Sequence, residues 1–364
     1  MTARPLRIGL VGTGFGTRVH VPAFARCPGV ELVSICSARL DRAKEAAERF
    51  DVPSFTDDFR ELIDRDDVDL VDVCTPPDSH LEISLAALDA GRHVLCEKPL
   101  ALDAGQAEQM AVAARAAEER GLVHAVNHEM RYLPVRRYIR QLVAEGFLGR
   151  PQFVTTAIHV DHGTNPSMEP YYWGWLAESG KGGGALMSLF SHHLDLLRFC
   201  FGEIHDPSGR IATLIPERPV LGFEYRDGDP IGPDTPTFGT RPVDTDDTAA
   251  FTATIGDGAV LTVSGSWSLH HPSGVRLEVY GDGGTLQLLP DGRLVGSRAG
   301  DGEPRELTPT FELPAAGDDH YLVPALAALI TDVQGAVEGV GDRLFATFED
   351  GWRLQQTIDA VRGH

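Results

Sequence analysis

The sequence predicts two successive domains of the α/β class: a doubly wound parallel sheet at the N-terminus, then an α+β domain containing an antiparallel meander. Three observations carry this. A short β-rich run, Leu6 to Val11, meets a glycine turn and then a helix-forming stretch. Short apolar runs and Ala-rich helical stretches then alternate as far as Val126, the pattern of strands covered by crossover helices. From Thr248 onward, alternating runs follow one another across turns such as Gly256-Asp257-Gly258 and Gly281-Asp282-Gly283-Gly284, as consecutive antiparallel strands do. The expected domains are 1–126 and 127–364.

The first turn reads Gly12-Thr13-Gly14-Phe15-Gly16-Thr17. Strand, glycine turn and helix are the context of a dinucleotide-binding fingerprint: Gly12 permits the tight turn, and Gly14 lets the backbone approach a pyrophosphate at the helix N-terminus. The third glycine of GxGxxG would fall at Thr17, and Gly16 lies one residue early. A plain β-turn-α connection accounts for the same residues without a cofactor. The second strand, Val30 to Cys36, ends in Ser37-Ala38-Arg39, where a carboxylate would bind the ribose of NAD. Ser37 can donate to a 2′-phosphate and Arg39 can pair with it, so NADP is expected in preference to NAD.

Leu40 to Phe50 reads as helix, and Asp69 to Cys74 as a strand stopped by Thr75-Pro76-Pro77. Leu81 to Ala90 is a helix with Gly91 as its C-terminal signal. The next strand runs into Cys96-Glu97-Lys98-Pro99, which delivers an acid and a base to the end of the sheet. A solvated Glu-Lys pair is the bland reading of that stretch, since functional lysines are a minority. Ala104 to Arg120 is helix and Leu122 to Val126 strand. Ligands of such sheets bind beyond the carboxyl ends of the strands. The candidate cofactor-binding residues are therefore Gly12, Thr13, Gly14, Phe15, Gly16, Ser37, Arg39, Thr75, Pro76, His80, Glu97, Lys98 and Asn127.

Asn127 to Tyr132 marks the crossing into the second domain, with Arg131 and Tyr132 as candidate substrate contacts. Gln152 to Val160 alternates as a strand ending in His159, Asp161 and His162. Spaced histidines on a strand point to opposite faces, so a metal is not expected, and His159 is read as a contact for a polyol or carboxylate. Tyr171 to Trp175 is an aromatic cluster, either core or a pocket wall in which Trp175 meets substrate. Gly182-Gly183-Gly184 leads into an apolar-periodic helix carrying His192 and Asp195. Three residues apart, these share a helix face and suit proton transfer, although a structural histidine near a helix start fits equally. Glu203 to Thr245, rich in Pro, Gly and Asp, reads as loops or irregular strands. Asp319 to Val337 and Phe348 to Val361 close the chain as helices, and the last is expected to be able to pack back on the first domain. A broad sheet with an uncovered face needs a partner, which implies a homodimer or homotetramer through the C-terminal sheet.

Bulk properties narrow the function. The formal net charge of −21 argues against non-specific nucleic-acid binding and anionic membrane surfaces. Five cysteines, an odd number without a CxxC pair, suggest neither a disulfide framework nor a thiol zinc site. No apolar run approaches a membrane span and no signal peptide is evident. A cytoplasmic enzyme with a small-molecule substrate is the expectation.

The order GTGFGTRVH, VDVCTPPDSH and ALDAGRHVLCEKPLA resembles the glucose-fructose oxidoreductase / inositol dehydrogenase / rhizopine-catabolism family (Gfo/Idh/MocA). The AGxHVxxEKPLA element is quite specific to that family, and the similarity extends over nearly the whole chain, to Phe348-Glu349-Asp350-Gly351. The resemblance implies a Rossmann domain followed by a domain built on a large, open, mostly antiparallel sheet. It also implies a nicotinamide cofactor, sugar or cyclitol substrates, no metal, and oligomers formed through the second sheet. Lys98 would lie beside the nicotinamide and the reacting carbon. His192 and Asp195 match the histidine and second aspartate of the family element GGGxLxDxGxHxxD, whereas Ser188 and Phe190 replace its first aspartate and its glycine. That aspartate assists the histidine and holds substrate in inositol-dehydrogenase-like members, so Ser188 is carried as a substrate position. The expected activity is an NADP(H)-dependent oxidoreductase acting on a carbinol or carbonyl carbon, with Lys98, His192 and Asp195 catalytic. Lys98, Arg131, Tyr132, His159, Trp175, Ser188 and His192 would meet substrate. The alternative is a sensor, or an enzyme that hydrolyses or epimerises through transient oxidation.

Overall fold

Six short strands pair in parallel to make the first sheet of the computed structural model, which describes residues 4–226 and 228–363. They are β1 (Leu6–Val11), β2 (Val30–Cys36), β3 (Phe55–Thr56), β4 (Leu70–Val73), β5 (His93–Cys96) and β6 (His124–Val126). Their order is β3-β2-β1-β4-β5-β6, so the winding reverses between β1 and β4. A crevice opens beyond the carboxyl ends at such a reversal. The sheet belongs to a compact unit formed by the chain through Tyr132 with Arg226–Gly228 and Leu313–Gln355.

Crossover helices α2 (Leu40–Phe50), α4 (His80–Asp89) and α5 (Ala104–Glu118) account for the Ala-rich stretches. Their small residues allow close approach: Ala107, Met110 and Ala114 pack with Val73, Val94 and Cys96 in one buried cluster. Leu100, Val126, Ala346 and Phe348 join it, so the turn after β5 is pinned by apolar burial on its far side. Each fully buried aliphatic side chain contributes roughly 1.5–3 kcal/mol. All four residues of β4 are buried, including Asp72. A parallel strand covered on both faces offers no solvated side, so a carboxylate in that strand has to find its partners inside the protein.

Gly12 sits at the reversal with φ +120°. A Cβ there would lie 2.0 Å from the Cys74 carbonyl oxygen, so only glycine allows β1 to turn away beside the end of β4. A Cβ on Gly16 would press on Leu10 at 3.1 Å and on Cys74 at 3.5 Å. Gly16 thus does the close helix–strand packing expected of a glycine at position 17.

The second unit comprises Leu133–Tyr225, Asp229–Glu312 and the chain from Gln356 onward. Its helices α6 (Pro134–Ala144) and α7 (Ser191–Phe201) contact each other. Its eight-stranded sheet is built from β7 (Pro151–His159), β8 (Ile204–Ala212), β11 (Thr248–Ile255), β12 (Ala259–Ser266), β13 (Gly274–Gly281), β14 (Gly284–Leu288), β15 (Leu294–Arg298) and β16 (Arg305–Glu306), in the order β16-β15-β14-β13-β7-β12-β11-β8. The sheet is mostly antiparallel, but it is not the simple meander expected. Strand β7 lies between β12 and β13, parallel to the first and antiparallel to the second. Period-two alternation fixes which face a residue takes, not which strand lies beside it.

The segment from Glu203 to Thr245 is more regular than its composition suggests. It holds the edge strand β8 and a two-stranded ribbon of β9 (Glu217–Leu221) and β10 (Thr237–Pro242). Most of β8 and all of β10 are exposed, so neither carries the apolar alternation that marks a strand. Among the described residues no helix is long and apolar enough to cross a membrane.

Candidate active site

The end of β5 delivers Glu97 into the protein and leaves Lys98 half-buried. One Glu97 oxygen accepts the Lys98 backbone N–H at 3.1 Å. The other lies 2.9 Å from His20 Nε2 and accepts Asn127 Nδ2 at 2.5 Å. The opposite ring nitrogen, His20 Nδ1, lies 2.7 Å from Asp72. Carboxylates accept hydrogen bonds, and a ring that meets one at each nitrogen satisfies both only as the doubly protonated imidazolium. The end of β5 is therefore tied to β4 and to the start of the first helix through one cationic ring, and to β6 through Asn127.

The glycine turn is what brings His20 there. Gly16–His20 forms a π-helical turn, closed by the Val21 N–H on the Gly16 carbonyl, before α1 (Val21–Ala25) begins. Such widened turns occur mostly as single turns at functional sites. Phe15 and Phe24 pack their ring edges against His20 at 5.7 and 6.2 Å.

Electrostatics follow from this packing. Burial opposes charge on His20, but the Asp72 carboxylate outweighs it and holds the imidazole pKa well above the ordinary value. Burial likewise opposes ionisation of Glu97, yet His20, Lys98 and Asn127 hold its carboxyl down at about 2. Asp72 is lifted by burial and drawn back by His20. Glu129, 1% exposed on the turn after Asn127, is pushed up to about 7 by burial and by the Glu97 charge, with Lys98 opposing. Its Oε2 has no hydrogen-bond partner, nor has Asn127 Oδ1. His20, Cys74 and Glu97 each offer an atom within 4.8 Å of the others. A direct 2.9 Å His20–Glu97 contact leaves no place for an ion between them, and burial pushes the Cys74 thiol up to about 12, whereas metals take thiolates.

His80 is fully buried, with Nδ1 3.0 Å from the Pro99 carbonyl and Nε2 2.8 Å from that of Thr75. It thereby clamps the proline turn after β4 to the turn that carries Lys98. Thr13 donates to Ser37 at 3.2 Å across the ends of β1 and β2. Arg39 pairs with Asp41 at 2.8 Å. Arg131 donates to the Leu344 carbonyl at 3.2 Å, and Tyr132 to Asp332 at 2.5 Å, so both tie the C-terminal segment to the first unit.

Residues 6–128 match the oxidoreductase family with NAD-binding Rossmann fold, and residues 136–287 match the GFO/IDH/MocA C-terminal domain. An oxidoreductase of Synechocystis sp. is 30% identical over 292 residues, covering 80% of this chain and 74% of that protein. This chain belongs to the Gfo/Idh/MocA oxidoreductase family. A levoglucosan dehydrogenase of Pseudarthrobacter phenanthrenivorans is 28% identical, covering 98% of this chain and 95% of that protein. A solved levoglucosan dehydrogenase in complex with NADH and levoglucosan superposes with a TM-score of 0.82 at 26% identity, over 99% of this chain and 96% of that one.

In the second unit of this oxidoreductase, the helix carrying His192 and Asp195 also begins with a π-helical turn, Leu186–Phe190, closed by Ser191 N–H on the Leu186 carbonyl. Asp246 starts it, accepting the Leu186 N–H at 2.7 Å, and Arg362 approaches Asp246 at 3.5 Å. Gly184, with φ +104°, makes room: a Cβ there would lie 2.7 Å from the Asp246 carboxylate. His192 and Asp195 are both buried on α7, and Ser188 is half-buried in the turn. His193 is buried, and burial together with the Arg136 charge holds it well below the ordinary pKa. His159 Nδ1 contacts Ser273 at 2.7 Å at the end of β7, and Trp175 is half-buried.

Sequence reasoning missed His20, Asp72, Glu129 and Asp246. Only Asp72 left a signal, as a carboxylate inside an otherwise apolar strand. Glu129 makes the stability of the fold depend on pH. Between about pH 4.5 and 7 its folded carboxyl keeps a proton that the unfolded chain has lost, so stability falls as pH rises through that window, by on the order of 3 kcal/mol. Urea unfolding midpoints of Glu129→Gln should lose this slope; a slope equal to wild type would contradict the assignment.

Proposed function

We propose that this oxidoreductase moves hydride between a nicotinamide cofactor and a CH–OH carbon of a sugar, cyclitol or related polyhydroxy or keto compound. The observation that carries the reading is the Glu97-Lys98 turn, locked at the carboxyl end of a central parallel strand by buried partners. The activity named for the levoglucosan dehydrogenase relative supports the substrate class. The orphaned buried acceptor Asn127 Oδ1, beyond the end of β6, fits an amide-bearing ligand at this rim. When bound, the nicotinamide supplies the hydride chemistry. Gly12 to Gly16 would hold its pyrophosphate at the helix start, and Thr75 and Pro76 shape the neighbouring turn. The Lys98 ammonium stabilises the alkoxide that forms as the hydroxyl proton leaves and that collapses to the carbonyl as hydride transfers. His192 takes the hydroxyl proton on its imidazole, and Asp195 orients it. Ser188, His159, Trp175, Arg131 and Tyr132 are carried as substrate positions on residue pattern. Replacing Lys98 with Met should lower turnover by about a thousandfold or more while cofactor affinity stays within about tenfold. The check is absorbance of reduced nicotinamide against a panel of polyols and sugars, with affinity from fluorescence quenching. Wild-type-like turnover in that variant would remove Lys98 from the mechanism.

The preferred cofactor in this reading is NADP. Arg39 follows the end of β2, where a 2′-phosphate would lie, and Ser37 offers a hydroxyl beside it. The Asp41 carboxylate already engages Arg39, which narrows the preference over NAD. Arg39→Ala should therefore invert the NAD-to-NADP affinity ratio, and Asp41→Asn should strengthen NADP binding by roughly three- to tenfold. A ratio that neither variant moves would refute the role of Arg39.

A homodimer or homotetramer through the second unit's sheet completes the reading. Val260, Phe153 and Tyr280 stand side by side in register across β12, β7 and β13, and all three are exposed. Thr155, Ala157, Thr252 and Thr262 extend the same face, and Glu278 and Arg276 on β13 place one acid and one base beside them. Such a face suits a second copy of itself. Phe153→Arg should shift the protein to monomer in light scattering; an unchanged mass would place the contact elsewhere.

A further inference from the structure

His20 is fully buried and meets a carboxylate at each ring nitrogen, behind the turn that carries Lys98. We propose that Asp72 and His20 are positioning residues for Lys98: Asp72 orients the His20 ring, His20 fixes the Glu97 carboxylate, and Glu97 holds the backbone N–H from which the Lys98 side chain departs. The inference rests on the reading of Lys98 as the group at the reacting carbon.

The distances define one continuous path. Asp72 meets Nδ1 at 2.7 Å, Nε2 meets Glu97 at 2.9 Å, and the second Glu97 oxygen takes the Lys98 amide at 3.1 Å. Each link has a fixed direction. The ring is pressed edge-on by Phe15 and Phe24, and Asp72 is set by β4, so a neutral or smaller residue at 20 would hold Glu97 less firmly. Asn127 Nδ2 then remains as the Glu97 side-chain partner among the described contacts. The groups facing His20 are Asp72 from β4, Cys74 just after that strand, Glu97 from the end of β5 and Asn127 from the end of β6, with Glu129 and Lys98 near Glu97. Three carboxyl groups (Asp72, Glu97 and Glu129) and one imidazolium share this buried space, with the half-buried Lys98 beside them. Removing the imidazolium leaves an excess of negative charge in a desolvated setting, and a carboxyl there recaptures its proton.

That gives a readout a purely structural role would not move. With His20 present, Glu97 stays ionised throughout the working range. In His20→Gln the Glu97 carboxyl loses its main partner, so kcat should acquire an acid limb between about pH 5 and 7 that wild type lacks. At pH 8 kcat should fall by roughly 30-fold with KM for substrate changed less than about threefold and cofactor affinity unchanged. Glu97→Gln, which cannot ionise, should show the loss at every pH without the limb. In a Lys98→Met background, His20→Gln should lower the residual rate no further.

If His20→Gln does not fold, Asp72→Asn carries the test with the ring in place, and kcat should fall by about three- to tenfold at constant cofactor affinity. Retention of wild-type kcat and pH profile in His20→Gln would overturn the proposal, as would an unchanged kcat in Asp72→Asn should that variant have to stand alone. If Lys98→Met itself keeps full turnover, the reading of Lys98 fails first. Loss in Lys98→Met with no effect in His20→Gln sinks the positioning role alone.

Discussion

One buried imidazolium between two carboxylates organises the end of the first sheet. His20 joins the turn after β1 to Asp72 within β4 and to Glu97 after β5, and Asn127 after β6 completes the link. Four consecutive positions along the rim of a parallel sheet are thereby fixed by polar contacts, where apolar packing alone would fix only their depth. Burying such charges is a poor source of stability, because desolvation offsets most of the attraction. Its value lies in direction: hydrogen bonds specify orientation, and the residue being oriented is Lys98.

The two helices that carry His20 and His192 start in the same way. Each opens from glycines into a π-helical turn, Gly16–His20 in one unit and Leu186–Phe190 in the other. In the first, the widened turn ends on His20 itself. In the second, a buried carboxylate from a distant loop, Asp246, takes the helix's leading N–H. Both devices use glycine where a side chain would collide, at Gly12 against the Cys74 carbonyl and at Gly184 against Asp246. The glycines are thus structural preconditions for the charged groups, and a dinucleotide fingerprint is only part of what they provide.

Much of this was legible in the sequence. The strands and helices of the first sheet follow from apolar runs separated by turn residues, and Glu97-Lys98-Pro99 stood out because charge met the end of such a run. Gly16 does the work expected at Thr17 because it is the residue that comes against Leu10 and Cys74. His20 was not legible: a histidine in an apolar helical stretch reads as core, and its partners lie 52 and 77 residues away. The place of β7 in the second sheet was hidden for a related reason, since alternation carries no information about neighbours. Strand β8 lacked a pattern because an exposed edge has no apolar face to repeat. Asp41 lay in view, but its reach to Arg39 depends on how the helix after β2 begins.

His20 is a cation held by both of its nitrogens. Nitrogen-15 NMR of the imidazole, with His20→Gln to assign the signals, measures this directly. Both ring nitrogens should carry protons from about pH 6 to 8, with no titration across the range where an ordinary histidine loses its charge. A His20 ring that is neutral at pH 7, with one nitrogen unprotonated, would contradict it.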